Sequence, residues 1–198
     1  MQSYDPKLSL GEARDQYFAL NGFDNGGYDE KWVKMRAGPI PIAFPNTKAR
    51  LRAVKFHDLH HVLTEYETTW CGEAEIGAWE VATGCADHYP AWLLNLCAFA
   101  IGLVINPRRV YAAFLRGRHS TNLYRRDFSD RLLGLNVGAV RQELQLNLQT
   151  PEASPFDRGA FLFWSSLSML TIVGTWVIVL TPIILVVVCA MLVVIKAL

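Results

Sequence analysis

A long stretch without charged residues occupies the end of the chain and limits what the chain can fold into. No Asp, Glu, Lys or Arg occurs from Gly159 to Ile195, between Arg158 and Lys196. A helix that crosses a membrane needs about 20 apolar residues, so one straight helix over this stretch would be about twice as long as the hydrocarbon core is thick. We expect residues 159–198 to form a membrane anchor whose helix is interrupted.

The interruption is predicted at Thr181-Pro182. A threonine followed by proline is a typical helix start, with the proline in the first turn. This pattern predicts a transmembrane helical hairpin with helices near residues 161–180 and 182–198. A single tilted span, kinked at Pro182 and preceded by an interfacial stretch over residues 161–168, is the alternative.

The N-terminal residues predict where the rest of the chain lies. Residues 1–16 have no apolar core of a secretory signal, and they contain Asp5, Glu12 and Asp15, whereas mitochondrial presequences avoid acidic residues. The cysteines have no CxxC spacing, which is typical of reduced thiols in the cytoplasm. A net charge of +1 gives no reason to expect a nucleic-acid partner. We expect a protein of the bacterial cytoplasmic membrane with its main domain in the cytoplasm.

Helical patterns dominate residues 1–150. Apolar periodicity predicts helices over residues 9–20, 48–66, 72–86, 91–105, 107–117 and 128–145, and Ser9 with Glu12 forms a capping-box pattern at the first. Residues 21–32 and 37–47 are dense in Gly, Pro and Asn and are predicted as loops. No strand pattern of useful length is present. We expect an all-α domain over residues 1–150, a linker over residues 151–158 and the transmembrane segment over residues 159–198.

Three histidines lie close together, at His57, His60 and His61. On a helix, which turns about 100° per residue, His57, Asp58 and His61 share one arc of the surface, whereas His60 lies about 160° from Asp58. Two histidines four residues apart are a recurring metal-binding spacing, because their rings converge from adjacent turns. We expect His57, Asp58 and His61 to bind a metal and His60 to stay outside the site.

A further ligand is expected from the next helix. Gly72 separates two helical patterns, so Glu73 lies in the first turn of the returning helix and is the nearest carboxylate that can reach back to His61. Glu65, on the first helix, is an alternative ligand or a hydrogen-bonding partner of the ligands. Two imidazoles with carboxylates suit Zn²⁺, and also Fe²⁺ or Mn²⁺, so the pattern predicts a metal site without choosing the metal.

The same residues carry a resemblance to a known family. In the coenzyme Q (ubiquinone) biosynthesis protein four family, a His-Asp-x-x-His motif is followed, after eleven residues, by Glu. Here His57, Asp58, His61 and Glu73 fill every position of that motif. The stretches "FHDLHHVL" and "GEAEIGAWE" also resemble the family, and the likeness extends over about residues 17–133.

This resemblance implies several expectations about fold and function. They are an all-helical fold, zinc at the motif, association with membranes, a role in organising other quinone-biosynthesis proteins, and oxidative decarboxylation of a prenylated quinone precursor at ring carbon one. The better-known members are peripheral membrane proteins without a C-terminal anchor. The resemblance thus supports the metal site more directly than it supports the reaction.

A basic segment follows an apolar one in the middle of the chain. Residues 91–105 are apolar but too short to span a membrane comfortably, and we expect a buried core helix there. No acidic residue lies between Asp87 and Asp127. The arginines in this interval form either a solvated face or a contact with anionic lipid, which contributes about 1 kcal/mol per basic group. The candidates for lipid contact are Arg108, Arg109, Arg116 and Arg118.

Two functions fit these expectations. A metal at the membrane surface could act as a Lewis acid on a lipid-tailed aromatic carboxylate, which would make the protein a metal-dependent decarboxylase. Alternatively, the protein is a non-catalytic, lipid-binding scaffold for quinone-biosynthetic enzymes, and its metal only joins two helices. Four protein ligands would favour the scaffold, and an open coordination position would favour the enzyme.

Overall fold

The computed structural model describes residues 3–37, 40–146 and 152–197. Within these ranges the chain is mostly helical, as the sequence predicts, and it contains one two-stranded sheet. The elements in chain order are α1 (Leu10–Asn21), β1 (Trp32–Ala37), β2 (Ile40–Pro45), α2 (Lys48–Thr64), α3 (Trp70–Thr83), α4 (Tyr89–Ile105), α5 (Pro107–Arg118), α6 (Asp130–Leu133), α7 (Val137–Glu143) and α8 (Pro155–Ala197).

Local sequence signals set the ends of the helices. Ser9 accepts a hydrogen bond from the backbone N–H of Glu12, whose side chain accepts one from the Ser9 N–H, so the predicted capping box is confirmed. The hydroxyls of Thr47 and Thr69 cap α2 and α3. After α1, Gly22 adopts a φ of 67°, a left-handed conformation that glycine takes without strain.

The prediction of a loop over residues 37–47 is wrong for residue 37 and for residues 40–45, which are in strands, while residues 38–39 lie outside the described residues. β1 and β2 pair antiparallel, with Trp32 opposite Pro45 and Val33 opposite Phe44. Prolines in this stretch argue against a strand, because proline has no N–H to donate to a sheet. In a sheet of two strands, however, each strand is an edge, and a position without an N–H can face away from the partner. The described fold is mostly helical, with this one small sheet beside the helices.

Residues 128–145 form two short helices, α6 and α7, instead of the single predicted helix. The turn between them is tied to the N-terminal segment. The Leu10 N–H donates to the Leu135 carbonyl, and the Val137 N–H donates to the Leu8 carbonyl. These contacts satisfy backbone groups that a continuous helix would have paired within itself, which explains the break.

α3 lies at the centre of the domain and packs against α4 and α5, while α2 packs against α1 and α4. α4 approaches α3 closely because it carries Gly102. A Cβ at this position would lie 2.5 Å from the Ala74 Cβ and would overlap a methyl group of Val110. The apolar core between α2 and α3 includes the buried side chains of Phe56, Leu59, Leu63, Ile76 and Trp79.

The charge-free stretch forms one helix, α8. This helix continues through Pro182, so the predicted hairpin is not confirmed. The Thr181 hydroxyl donates to the Val177 carbonyl inside the helix, and it does not cap a new one. With 43 residues, α8 is about 65 Å long, about twice the thickness of the hydrocarbon core. Its stretch Pro155–Val186 is long and apolar enough to cross a membrane, judged by length and composition.

α8 begins inside the segment that the sequence predicts as a linker. Of the predicted linker over residues 151–158, residue 151 lies outside the described residues, and residues 155–158 are helical. Ser154 and Asp157 form a capping box. The Asp157 N–H donates to the Ser154 hydroxyl and the Ser154 N–H donates to the Asp157 carboxylate, both at 3.1 Å. A strong local cap fixes the start of the helix at this point.

Candidate metal centre

α2 brings two imidazole nitrogens together. His57 and His61 lie one turn apart, and their Nε2 atoms are 3.2 Å apart. Their rings are nearly perpendicular, with centroids 4.7 Å apart. The side chain of His61 is 1% exposed and that of His57 is 20% exposed, so the pair is largely withdrawn from water but not sealed.

Glu73 reaches this pair from α3. The turn before α3 is tight, since a Cβ on Gly72 would overlap the Glu67 carbonyl oxygen. Glu73 enters in the first turn of the helix, with Oε2 lying 3.4 Å from His57 Nε2 and Oε1 lying 3.4 Å from His61 Nε2. These three side chains form a group that could hold a metal ion.

The spacing of these atoms is compatible with a tetrahedral metal site. Zn²⁺ binds imidazole nitrogen at about 2.0–2.1 Å, so two ligand atoms at tetrahedral corners lie about 3.3 Å apart. The separations here are 3.2 Å between the two nitrogens and 3.4 Å from each nitrogen to a different oxygen of the Glu73 carboxylate. These three side chains therefore suit a small divalent cation.

Hydrogen bonds on the far side of each ring orient the two histidines. His61 Nδ1 donates to the Tyr66 backbone carbonyl at 2.9 Å, and this bond directs Nε2 at Glu73. The His61 ring also stacks on Tyr17, with centroids 5.5 Å apart. His57 Nδ1 lies 3.1 Å from Glu80 Oε1, the carboxylate–histidine arrangement that commonly fixes a metal-binding imidazole.

Glu80, which is absent from the predicted site, is the centre of a buried polar network. It is fully buried on α3. Its Oε1 accepts a hydrogen bond from His60 Nδ1 at 2.6 Å, and its Oε2 accepts one from the Tyr124 hydroxyl at 2.7 Å and another from the Asn95 amide. The signal that could have found it is a lone carboxylate in the apolar run "IGAWEVA", because a buried charge without partners is strongly unfavourable.

His60 lies outside the group, where the helical arc places it. Its Nε2 accepts a hydrogen bond from the Leu123 backbone N–H at 3.0 Å, and its Nδ1 donates to Glu80. Both ring nitrogens are thus used inside the fold, and burial lowers the pKa of His60. The residue joins α2 to α3 and to the segment around Leu123.

Asp58 lies beside the group but is held by another partner. The Tyr28 hydroxyl donates to Asp58 Oδ2 at 2.6 Å. Burial raises the pKa of the Asp58 carboxyl, although Tyr28 and the two site histidines partly offset this effect. Of the four predicted ligands, the fold brings three together, and Asp58 is outside that group.

Glu65 does not take part in the site, contrary to the expectation that it is an alternative ligand. The chain leaves the helix at this residue, where φ is 62°. The Glu65 carboxylate accepts hydrogen bonds from Arg141 at 2.8 Å and from Ser3 at 2.9 Å. Its backbone turns away from the arc of His57 and His61 and directs the side chain to α7.

Two of the four candidate lipid-binding arginines are engaged inside the domain. Arg116 donates to the Thr64 carbonyl at 2.9 Å and so binds the C-terminal end of α2. Arg118 donates to Asp157 at 3.2 Å and joins α5 to the start of α8. Both side chains have partners inside the domain, and this favours a structural role for these two arginines over lipid contact.

The other two arginines lie at the start of α5. Arg109 forms an ion pair with Glu75 on α3, with the Arg109 Nε atom 2.9 Å from a carboxylate oxygen. Arg108 is exposed. Of the four candidate arginines, Arg108 therefore remains as the candidate for lipid contact. Arg109 is half-exposed beside it.

The site concentrates negative charge around two imidazoles. Burial alone would lower the pKa of His57, but the carboxylates of Glu80 and Glu73 raise it well above its ordinary value of 6.5. Burial alone would raise the pKa of Glu73 and of Glu80, yet the facing histidines hold both well below the ordinary range. A divalent cation would replace the proton on His57 and neutralise the same carboxylates.

A scan against protein-family models and searches of curated proteins and of solved structures found no match to this chain. The resemblance to the coenzyme Q biosynthesis protein four family consequently rests on the residues named above. The geometry of His57, His61 and Glu73 is independent of that resemblance, because it follows from the packing of α2 on α3.

Proposed function

We propose that His57, His61 and Glu73 bind one divalent metal ion. Zn²⁺ is the preferred candidate, and Fe²⁺ and Mn²⁺ are the alternatives. The observation that carries this proposal is the set of separations of 3.2 and 3.4 Å among two Nε2 atoms and the carboxylate oxygens. The orientation of both rings by Glu80 and by the Tyr66 carbonyl supports it, because ligand histidines usually donate their other ring N–H to such acceptors.

We propose further that the site is catalytic. Three protein ligands with one open position are typical of catalytic zinc, whereas structural zinc has four. When bound, the metal would supply Lewis acidity toward the carboxylate oxygens of a substrate. The chain's own residues would keep water out on the His61 side, orient the two imidazoles, and hold the Asp58 carboxyl, bonded to Tyr28, near the two histidines.

The substrate class that fits best is a prenylated aromatic acid of ubiquinone biosynthesis. The His-Asp-x-x-His…Glu motif and the apolar helix α8, which we propose to anchor the protein in a bacterial cytoplasmic membrane, support this choice. In oxidative decarboxylation the bond between ring and carboxyl carbon breaks and the carboxyl carbon leaves as carbon dioxide, while the ring carbon gains a hydroxyl group whose oxygen comes from water, with release of two protons and two electrons. The reaction needs a two-electron oxidant such as dioxygen, which must come from outside the chain.

A second candidate function is a lipid-binding scaffold for other quinone-biosynthesis proteins, with a structural metal. The observation that favours it is the closeness of Asp58, whose carboxylate interacts electrostatically with both site histidines. If the Asp58 carboxylate left Tyr28 and completed the ligand shell, the site would be closed and of the structural type.

Metal binding is tested with the full-length protein purified in detergent. His61→Ala removes one of the three donors, so we expect the variant to lose the metal that elemental analysis finds in the unmodified protein. His119→Ala is the matched control, because His119 directly follows the last residue of α5 and lies near Asp157, outside the group of three, and it should retain the metal. Equal metal content in both variants would refute the site.

The reaction is tested by mass spectrometry of quinone intermediates in a deletion strain. Accumulation of a ring-carboxylated prenyl precursor, reversed by the unmodified protein but not by His61→Ala, supports catalysis. Accumulation that His61→Ala also reverses supports the scaffold. Normal quinone levels in the deletion strain would remove the protein from quinone synthesis altogether.

A further inference from the structure

α4 has one side that packs on the domain and one that is open to the surroundings. Its packed side contacts α3, α5 and α8. Its open side runs along the helix, because its positions recur at spacings of three, four and seven residues. We call it the α4 stripe, and it consists of Leu93, Leu94, Ile101, Val104 and Ile105, all exposed or partly exposed.

The polarity of α4 is the reverse of that of a helix on a water-facing surface. No residue from Tyr89 to Ile105 is charged. The amide side chain of Asn95 is buried and donates to Glu80 and to the Cys85 sulfur. A helix that turns its amide inward and its large apolar side chains outward presents a contiguous apolar patch, which in soluble proteins marks an interaction surface.

The contacts between α4 and α8 indicate that lipid covers the α4 stripe. The Trp92 ring stacks on the Trp164 ring of α8, with centroids 5.4 Å apart, and the Cys97 sulfur lies 3.9 Å from the Thr175 hydroxyl. A crossing segment needs about 20 residues, and every window of that length within the charge-free residues 159–195 includes residues 176–178. Residues 176–178 therefore lie in the hydrocarbon core for any placement of the crossing segment, and Thr175 is next to them. Because Cys97, at the middle of α4, contacts Thr175, the middle of α4 lies at or next to the hydrocarbon core.

We propose that the α4 stripe inserts into the lipid bilayer beside α8. The domain would then contact the membrane through two elements, one face of α4 and the anchor helix α8. α4 does not cross the bilayer, because its other side packs on α3 and α5, whose ion pair between Glu75 and Arg109 belongs in water or headgroups. Exposed Tyr89 at the start of α4 and Arg108 just beyond its end are the residue types that anchor a segment at the membrane interface.

This arrangement places the candidate metal site one helix away from lipid. α3, which carries Glu73 and Glu80, packs directly on the inner side of α4, and packed helix axes are about 8–10 Å apart. A substrate whose tail stays in the bilayer would reach the site past α4, and no separate binding groove is required. The inference depends on the membrane placement of α8 within the proposed function, and the test below separates the two.

The experiment uses the full-length protein in phospholipid vesicles with a photo-crosslinking benzoylphenylalanine at single positions. Leu94 and Val104 test the α4 stripe, at two positions so that one poorly folding variant does not decide the result. Ile178, 76% exposed and within every crossing window, is the positive control for α8. Leu20, 62% exposed on α1, is the control of similar exposure on a helix that packs against α2 and α6.

We expect mass spectrometry to find phospholipid adducts at Leu94, Val104 and Ile178 and to find none at Leu20. Adducts at Ile178 without adducts on α4 would overturn the inference and leave the α8 anchor in place. Crosslinks from Leu94 and Val104 to a second copy of the chain would also overturn it, since the stripe would then be a contact between protomers. Absence of lipid adducts at Ile178 would overturn the membrane placement of α8 and, with it, this inference.

Discussion

Replacing Glu80 with glutamine is the sharpest test of how the candidate metal site is organised. Glutamine has nearly the same shape but lacks the charge and one of the two acceptor oxygens. Its oxygen can still accept from His57 Nδ1 and His60 Nδ1, while its NH₂ group must face the Tyr124 hydroxyl and the Asn95 amide, both of which donate to Glu80. The substitution thus weakens the support of His57 without removing a proposed ligand.

The expected magnitudes follow from these contacts. Loss of a carboxylate that supports a metal-binding histidine lowers metal affinity by about 10-fold to 100-fold, equal to about 1.4–2.7 kcal/mol. Hydrogen bonds to a charged group contribute about 1.5–3 kcal/mol and neutral ones about 0.5–1.5 kcal/mol, so four weakened bonds lower the free energy of unfolding by about 4 kcal/mol. Because glutamine no longer buries a charge, we expect a net loss of about 2–3 kcal/mol.

Two measurements check these values separately. Competition with a chromophoric zinc chelator at neutral pH gives the metal affinity, and urea unfolding with excess EDTA gives the stability of the metal-free protein. Glu75→Gln is the matched control, because Glu75 is also a largely buried carboxylate of α3 but pairs with Arg109. Its metal affinity should equal that of the unmodified protein.

One outcome would refute the reasoning. If Glu80→Gln binds zinc as tightly as the unmodified protein while its stability falls as expected, Glu80 serves the fold alone, and the orientation of His57 does not depend on it. If Glu75→Gln loses as much metal affinity as Glu80→Gln, the loss comes from a general disturbance of α3. It would then not come from the hydrogen bond between Glu80 and His57.

Three further predictions concern the network and the packing around it. His60→Ala leaves Glu80 and the Leu123 N–H without their shared partner, so unfolding in urea should show a loss of about 3 kcal/mol, while elemental analysis still finds the metal. The pKa of Glu80 lies below its ordinary value of 4.5, so its stabilisation is present above that pH and is lost as the pH falls; unfolding at a series of acidic pH values should show this decline in the metal-free protein, with a shallower slope in Glu80→Gln. Gly102→Ala inserts a methyl group against Ala74 and Val110, and thermal unfolding should report a loss of about 1–3 kcal/mol.

Local signals in the sequence determined most of the helices and part of the site. The capping box at Ser9 and Glu12 and the spacing of His57 and His61 depend only on residues within one or two turns, and the structure has both where the sequence places them. Such features are predictable because helix geometry fixes which side chains meet at short separations. The charge-free run likewise indicates an apolar helical stretch from composition alone, although the interruption expected at Thr181-Pro182 is not present.

Only the tertiary structure decided the remaining features, because they depend on contacts between residues far apart in the chain. Glu80 is at the centre of the network because packing brings Tyr124 and His60 to it, and Asp58 is outside the metal group because Tyr28, distant in sequence, holds its carboxyl. The strands β1 and β2 pair with each other although prolines argue against them. In each of these cases local propensity is a weak preference of the backbone, and hydrogen bonds and contacts between separate segments outweigh it.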